Sequence, residues 1–411
     1  MFQVINHIKR CCIGGIVVTL CSLCFSARAQ YFTLDGGRTK AIPFQCVRNL
    51  IIIKLNINNK GPYNFVLDTG VGYMLITEPS LVDSITNISK RSITINGFGN
   101  GDPFEAFITS TLKVDIPGLI SNNVSAAIFK KDAFGLSNYA GIPIHGLIGY
   151  EFFSRLAVKI NFADSTIRVA LPKNMRFYKK ADKIPLHIED RKPYITGNVV
   201  FANGSEKQSK LIVDLGAGHF ISMENLKNKA ILQKDHVTAN LGMGINGLIS
   251  GTLSRINEVV IGKYKVKDVI AAFPDDDTRA LSTPRDGNIG IGLVKKFDVI
   301  FDYPDSVMYL KPGPSYRKRD EHDMSGLVYY SDTDDGQQHI LIYKIEPGSA
   351  GEAAGLQPDD EIVDINFKPV TQVSLQQIDE MFKSANGRTF ILGIGRNKKY
   401  FPVLLTLKRR I

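Results

Sequence analysis

"FVLDTG", Phe65 to Gly70, and "LIVDLG", Leu211 to Gly216, set an aspartate between three apolar residues and a small turn twice in one chain. Three apolar residues read as a buried strand end, and the glycine reads as a tight turn. An aspartate in that position is held rigidly while its carboxylate stays accessible. A second copy from a related unit can face it across an approximate two-fold axis. Two carboxylates that close cannot both ionise comfortably, so they share a proton. One can then accept a proton while the other donates one.

The two phrases belong to a longer internal repeat. "FVLDTGVG" leads to "INGFGNG" (Ile95 to Gly101), then "AAIF" from Ala126, then "HGLIGYEFFSRLAVKINFADSTI" from His145. "LIVDLGAG" leads to "LGMGING" (Leu241 to Gly247), then "AAF" from Ala271, then "DGNIGIGLVKKFDVIFDYPDSVMYL" from Asp286. Asp68 to Asp214 is 146 positions, Gly97 to Gly242 is 145, Phe129 to Phe273 is 144 and Gly149 to Gly290 is 141. Landmarks in one order with nearly constant offsets imply two similar lobes.

Within each lobe, "SITINGF", "AFITSTLKVDI", "LAVKINF" and "DVIFDY" alternate apolar and polar residues, with Gly, Asn and Asp at the joins. That is the pattern of strands and hairpins, and each lobe is expected to be a small closed β-structure. "GMGING" (Gly242 to Gly247) satisfies the dinucleotide-binding string G-x-G-x-x-G, but that string needs a helix after it. Here "LISGTLSRINEVVIG" follows and alternates as a strand, so the glycines read as a hairpin tip.

At 411 residues and 44% apolar content the chain can build several cored domains. His7, Lys9 and Arg10 precede an apolar run, Cys11 to Phe25, that ends in Ala27-Arg28-Ala29. Residues 1–29 therefore read as a cleaved secretory signal, which predicts an exported protein, periplasmic or extracellular, with no transmembrane anchor after cleavage. The apolar run is short of the roughly 20 residues a spanning helix needs. Cys11, Cys12, Cys21 and Cys24 leave with the signal, so Cys46 alone remains and no intramolecular disulfide is expected. "IPFQCVRNL" reads as strand, which points to Cys46 as a buried small apolar residue rather than a nucleophile. The formal charge of +10 loses Lys9, Arg10 and Arg28, and 10 less 3 leaves +7. The remaining basic residues are scattered apart from short runs such as Arg317-Lys318-Arg319, which argues against nucleic acid as a partner.

The residues quoted above resemble a retropepsin-like aspartic peptidase with both lobes fused in one chain, over roughly Tyr31 to Pro312. The resemblance rests on Asp68-Thr69-Gly70, on Asp214-Leu215-Gly216, and on the elements Leu147-Ile148-Gly149 and Asn288-Ile289-Gly290 that pack behind each Asp turn in that family. It implies Asp68 and Asp214 as catalytic residues, with Thr69, Gly70, Leu215 and Gly216 forming the active-site turns. It also implies a flap at Gly97, Phe98 and Gly99, and a second-lobe counterpart at Gly242, Met243 and Gly244. The family usually has Thr or Ser after each Asp, where the hydroxyl ties the lobes together. Leu215 leaves that half of the network to apolar packing. Val71 and Ala217 stand where many acid-active relatives carry a hydroxyl, and losing a donor to the charged form should keep the pair singly protonated to higher pH. No metal and no cofactor is expected: His145, His187, His219, His236, His322 and His339 show no i, i+4 pair, and no G-x-S-x-G elbow occurs.

After Pro312-Gly313-Pro314 and a charged stretch to Asp323 the pattern changes. "HILIYKIEPGSAGEAAGLQPDDEIVDIN" reads as strand, turn, short helix ended by Gly355, turn, strand. "SLQQIDEMFKSANG" reads as an amphipathic helix with Ser374 and Gln377 as a capping box and Leu375, Ile378 and Phe382 on one face. Two strands, "RTFILGIGR" and "FPVLLTLK", close the chain. This segment resembles a PDZ domain of the bacterial protease-associated kind, over about Ser325 to Arg410. The resemblance implies that Gly326, Leu327 and Val328 capture a C-terminal carboxylate by backbone N–H groups, with the Leu375 helix as groove wall. The alternative is a PDZ-like domain that only packs on the peptidase.

The expected organisation is a signal peptide at 1–29, lobe one at 30–170, a linker at 171–184, lobe two at 185–312, a linker at 313–324 and a PDZ domain at 325–411. The expected fold class is mainly β, with bilobal acid-protease-like β-barrels and a C-terminal PDZ domain, a β-sandwich with two helices. The expected function is an exported aspartic endopeptidase acting on a peptide or protein substrate by water activated between two carboxylates, with the PDZ domain open to a C-terminal peptide ligand. A monomer suffices for the dyad. The competing class is a non-catalytic peptide-binding or scaffolding protein with a degenerate cleft.

Overall fold

The computed structural model describes residues 31–411 apart from 83–90, 96–103, 132–134, 225–235, 245–246, 276–283 and 334–335. The signal-peptide reading of residues 1–29 lies outside the described residues. No helix among the described residues is long and apolar enough to cross a membrane.

The apolar run before Asp68 forms the strand Lys60–Leu67, and the run before Asp214 forms Glu206–Asp214. Each pairs in parallel with a short strand that ends in the repeat's glycine element. Leu67 lies opposite Ile148, and Asp214 lies opposite Gly290. The same short strands then pair antiparallel with Met74–Ile76 and Ile221–Met223, which in turn run parallel to the "AAIF" and "AAF" strands. In lobe one the strands Leu50–Ile57, Lys60–Leu67, Gly146–Ile148, Met74–Ile76, Leu119–Phe129 and Phe104–Ile116 close on themselves. In lobe two the corresponding ring is Lys192–Val200, Glu206–Asp214, Gly287–Gly290, Ile221–Met223, Tyr264–Pro274 and Gly247–Ile261. Closure removes the exposed sheet edges that short antiparallel strands would otherwise present.

A third sheet of six strands joins the lobes, in the order Asp182–Pro185, Val307–Pro312, Phe297–Asp302, Ala157–Asn161, Thr166–Ala170 and Thr39–Pro43. Its two central strands come one from each lobe, with Ala157 opposite Asp302 and Ile160 opposite Val299. The approximate two-fold axis therefore passes between them. One apolar cluster runs through both lobes, from Phe65, Leu67 and Ile148 to Val213, Leu215 and Ile289. Separate cores would let the lobes move independently, whereas this continuity fixes their mutual position.

The fourth sheet belongs to the C-terminal domain and orders its strands Leu327–Asp332, His339–Ile345, Glu361–Ile365, Thr389–Arg396 and Lys399–Thr406. Its main helix, Leu375–Phe382, starts at the Ser374/Gln377 capping box and buries Leu375, Ile378 and Phe382. The fold is mainly β, two barrels plus a PDZ domain. The charged stretch before that domain is pinned rather than loose. The nearly buried Lys296 holds Asp320 at 2.5 Å and the Lys318 carbonyl at 2.7 Å, and Arg255 donates to the Asp320 carbonyl at 2.8 Å.

Cys46 corrects a sequence expectation. It does lie on a strand, Gln45–Val47, but among the described residues that strand pairs with Leu50–Ile57 alone, and the thiol is exposed.

Behind the first Asp turn, the helix Tyr150–Phe153 buries Glu151 together with Phe152 and Phe153. Both Glu151 carboxylate oxygens lack a hydrogen-bond partner among the described residues, and Arg191 Nη1 stays 3.7 Å away. Burial, only partly offset by the residue's own backbone and by Arg191, raises this carboxyl from 4.5 to about 7. A raised acid costs nothing while it is protonated in both folded and unfolded chains. Its penalty therefore develops as pH climbs from 4.5 through 7, reaching about 3 kcal/mol above that window. Glu151→Gln should accordingly stabilise the protein by up to about 3 kcal/mol at pH 8 and by much less at pH 4.5. Urea denaturation at the two pH values reads the difference, and an equal effect at both would refute the assignment.

Candidate active site

The two Asp turns meet between the lobes. In each turn the carboxylate folds back onto the turn's own glycine: Gly70 N–H donates to Asp68 Oδ1 at 2.6 Å, and Gly216 N–H donates to Asp214 Oδ1 at 2.9 Å. Each glycine also faces the opposite aspartate. A Cβ added at Gly70 would stand 2.8 Å from both Asp214 carboxylate oxygens, and one at Gly216 would stand 2.3 Å from the Asp68 carboxyl carbon. Only glycine lets the carboxylates approach this closely. The glycines behind the turns serve the same end, because a Cβ at Gly149 would meet the Asp68 carbonyl at 2.3 Å and one at Gly290 the Ala217 carbonyl at 2.5 Å.

One hydroxyl spans the two lobes. Thr69 Oγ1 donates to the Val213 carbonyl at 2.7 Å and accepts from Leu215 N–H at 2.9 Å. The partner position has no hydroxyl to return these bonds. Leu215 is instead fully buried in the apolar cluster shared by both lobes, which supports the geometry by packing.

The pair is electrostatically asymmetric. Asp68 is buried, and its carboxyl is pushed well above the usual carboxylate range by that burial and by the neighbouring Asp214 charge. The Gly70 hydrogen bond and Lys192 oppose the rise without cancelling it, and a side-chain hydrogen bond joins the two carboxyls. Two carboxyls sharing one proton is what such mutual repulsion produces. One group can then donate a proton to a carbonyl oxygen while its neighbour accepts one.

Sequence reasoning missed the partners of Asp214. Asn288 belongs to the element expected to pack behind the second Asp turn, and its side-chain amide donates to Asp214 Oδ2 at 2.8 Å. His219 is packed into the same region, and burial lowers its imidazole pKa although Asp214 and Asn288 favour its charge. Its Nε2 is buried with no partner in the described residues. Below the second turn, Glu224 and Arg285 form a two-point buried ion pair at 2.9 and 3.0 Å. A polar residue beside "IG" in the second repeat, where the first repeat has Leu147, was the signal for Asn288.

Gly97, Phe98 and Gly99 lie outside the described residues. Gly242, Met243 and Gly244 belong to a hairpin, with Val237–Gly244 paired to Gly247–Ile261 and a register shift between Asn240 and Gly242. Gly242 N–H is held by Asn240 Oδ1 at 3.1 Å, and Asn240 N–H by Glu346 of the C-terminal domain at 3.1 Å. In the candidate carboxylate loop, Gly326 N–H donates to Asp323 Oδ1 at 2.7 Å and Leu327 N–H to Ser325 Oγ at 3.1 Å. Val328 is paired opposite Lys344. Two of the three N–H groups expected to receive a C-terminal carboxylate are therefore engaged within the domain.

An aspartyl protease family model matches residues 53–152, and a PDZ domain model matches residues 316–394. The chain is also 24% identical over 280 residues to the periplasmic serine endoprotease DegP of Salmonella typhimurium (strain LT2). That match covers 67% of this chain and 53% of the relative, so the chain spans about half the length of the curated relative it matches. This finding corrects the function expected from the sequence. The relative is a serine endoprotease, which conflicts with an aspartic mechanism and overturns the expected exported aspartic endopeptidase as a statement of function. What the comparisons carry is coarser: an aspartyl protease-like domain and a PDZ domain in a chain with similarity to a protease.

The cross-lobe hydroxyl gives a stability test. Thr69→Ala strips the Val213 carbonyl and the Leu215 N–H, both buried, of their Thr69 partner, and should cost about 3 kcal/mol in chemical denaturation. Thr69→Ser keeps the hydroxyl and should retain most of that stability. Equal losses in the two variants would refute the cross-lobe role.

Proposed function

We propose that this chain is a PDZ-bearing peptidase that takes polypeptide between its two barrels, with Asp68 and Asp214 as its catalytic residues. The observation that supports this reading most is the reciprocal packing of the two turns, each glycine against the other lobe's carboxylate. A binding cleft without chemistry gains nothing from forcing two carboxyls to share a proton, because that arrangement costs desolvation and repulsion. Proton transfer to and from a carbonyl centre uses it directly. The hairpin carrying Gly242, Met243 and Gly244 is assigned to the substrate side of the second barrel. Thr69, Gly70, Leu215 and Gly216 hold the carboxylates in place. The similarity to a periplasmic endoprotease supports a polypeptide substrate and an exported setting.

The raised Asp68 carboxyl sets the pH dependence. A singly protonated pair is lost when the second proton leaves, and burial beside Asp214 moves that loss upward from the ordinary carboxylate range near pH 4. Activity should therefore extend toward neutral pH, falling on the alkaline side as pH rises through the elevated value and on the acid side once both carboxyls are protonated.

Cleavage of a peptide library by residues 30–411, followed by mass spectrometry across pH, tests the reading together with the catalytic type of the relative. Asp68→Asn and Asp214→Asn should each reduce kcat by about 1,000-fold or more, while a serine-directed fluorophosphonate should leave the wild type active and unlabelled. Covalent labelling of a serine with loss of activity, or full activity in either Asn variant, would overturn the assignment.

A further inference from the structure

The groove of the C-terminal domain is already filled. Its walls are the edge strand Leu327–Asp332 and the helix Leu375–Phe382, the pair between which a PDZ ligand would add a strand. Into it projects the tip of a lobe-one hairpin, Arg48–Asn49, both residues in the left-handed region that a tight two-residue hairpin turn requires. The Arg48 guanidinium makes a two-point ion pair with Asp379 on the helix, at 3.0 Å for each nitrogen. It donates to the Tyr329 carbonyl on the strand at 3.3 Å and stacks over the Tyr329 and Tyr139 rings at 5.0 and 4.5 Å. Its backbone N–H donates to Gln376 Oε1 at 2.7 Å. The lobe-one helix Leu136–Ala140 packs along the same edge strand, and a Cβ at Gly141 would lie 3.0 Å from Leu375 Cδ1.

The chemistry of this groove is that of a cation site. Asp379 repels a C-terminal carboxylate, and the Gly326 and Leu327 N–H groups that would bind one are engaged by Asp323 and Ser325. A carboxylate flanked by an aromatic face and a backbone carbonyl on the edge strand instead matches the planar donor fork of arginine.

The neighbouring residue reaches the other way. Asn49 Nδ2 donates to the Gly218 carbonyl at 2.9 Å, two residues past Gly216 in the Asp214 turn, and Asn49 Oδ1 accepts from Lys295 at 2.8 Å. Two adjacent residues of one turn thus grip the C-terminal groove and the second Asp turn.

We propose that the groove between Leu327–Asp332 and Leu375–Phe382 is an arginine-recognition site occupied in cis by Arg48, and that the Arg48–Asn49 turn couples its occupancy to the backbone of the Asp214 turn. The ligand that competes is a polypeptide segment presenting an arginine side chain. Arg48 and Asn49 are positioning residues, and their effect on turnover rests on the peptidase reading above. The occupancy itself does not.

The test uses the full chain from residue 30 and a fluorescent nine-residue peptide copying Phe44 to Ile52 with Cys46→Ser. Arg48→Ala protein should bind this peptide at least about 10-fold more tightly than wild type, in which Arg48 competes from the same chain. Arg48→Ala/Asp379→Asn should lose that gain. Hydrogen exchange in Leu327–Asp332 should accelerate in Arg48→Ala and be slowed again by millimolar ethylguanidinium, a rescue that a merely structural defect would not show. Exchange across residues 214–220 should accelerate in both Arg48→Ala and Asn49→Ala. Equal peptide binding by wild type and Arg48→Ala, binding that survives loss of the Asp379 charge, or unchanged exchange at 214–220 would overturn the proposal. None of these readouts needs hydrolysis, so a failure of the carboxylate pair as a catalyst would leave them intact and be seen separately.

Discussion

Everything in the two barrels is arranged around the close approach of two carboxyl groups that would rather stay apart. Water would separate and ionise them; the protein holds them together by making each one the wall of the other's turn. Gly70 and Gly216 permit the approach, and Thr69 fixes its distance by bonding across the lobe boundary to Val213 and Leu215. The cost is repulsion and lost hydration at Asp68, seen as a carboxyl shifted toward its neutral form. Burial of the surrounding apolar residues, continuous from one lobe to the other, offsets that cost.

The two repeats depart from each other at the Asp turns in two places that bear on the pair. Where lobe one has Thr69, lobe two has Leu215, so the cross-lobe hydrogen bonds come from one side and apolar packing from the other. Asn288 adds a further difference, because its amide donates to Asp214 alone. A donor to the charged form favours ionisation, and burial disfavours it. Of the two carboxyls it is that of Asp68 that is pushed toward its neutral form, by burial first and by the Asp214 charge second.

The C-terminal domain is not a passenger tethered by a loose segment. Lys296 and Arg255 anchor the chain that leads into it, Glu346 caps the Asn240 N–H in the hairpin of lobe two, and Arg48 enters its groove from lobe one. In the proposed reading, the groove holds the Arg48 side chain against Asp379 rather than a C-terminal carboxylate. Its electrostatics favour a cation, and the chain supplies one.

Much of this was legible in the residues. The repeat of Asp turns, the alternation of short strands, the hairpin at Gly242 and the capped helix at Ser374 are local or periodic features, and local chemistry determines them. The two lobes followed because one pattern recurred at a near-constant offset. What could not be read is what depends on distance in space between residues distant in sequence. Nothing around Asn288 announces that its amide meets Asp214 across 74 positions, and nothing around Arg48 announces Asp379 across 331. Cys46 was misjudged for the same reason, since alternation marks a strand but not which of its neighbours cover it. The sequence by itself determined the elements and their symmetry, because periodicity and turn chemistry act over a few residues. Tertiary structure alone decided the partners of each charge, because burial and electrostatics are settled only when the whole chain has closed around them.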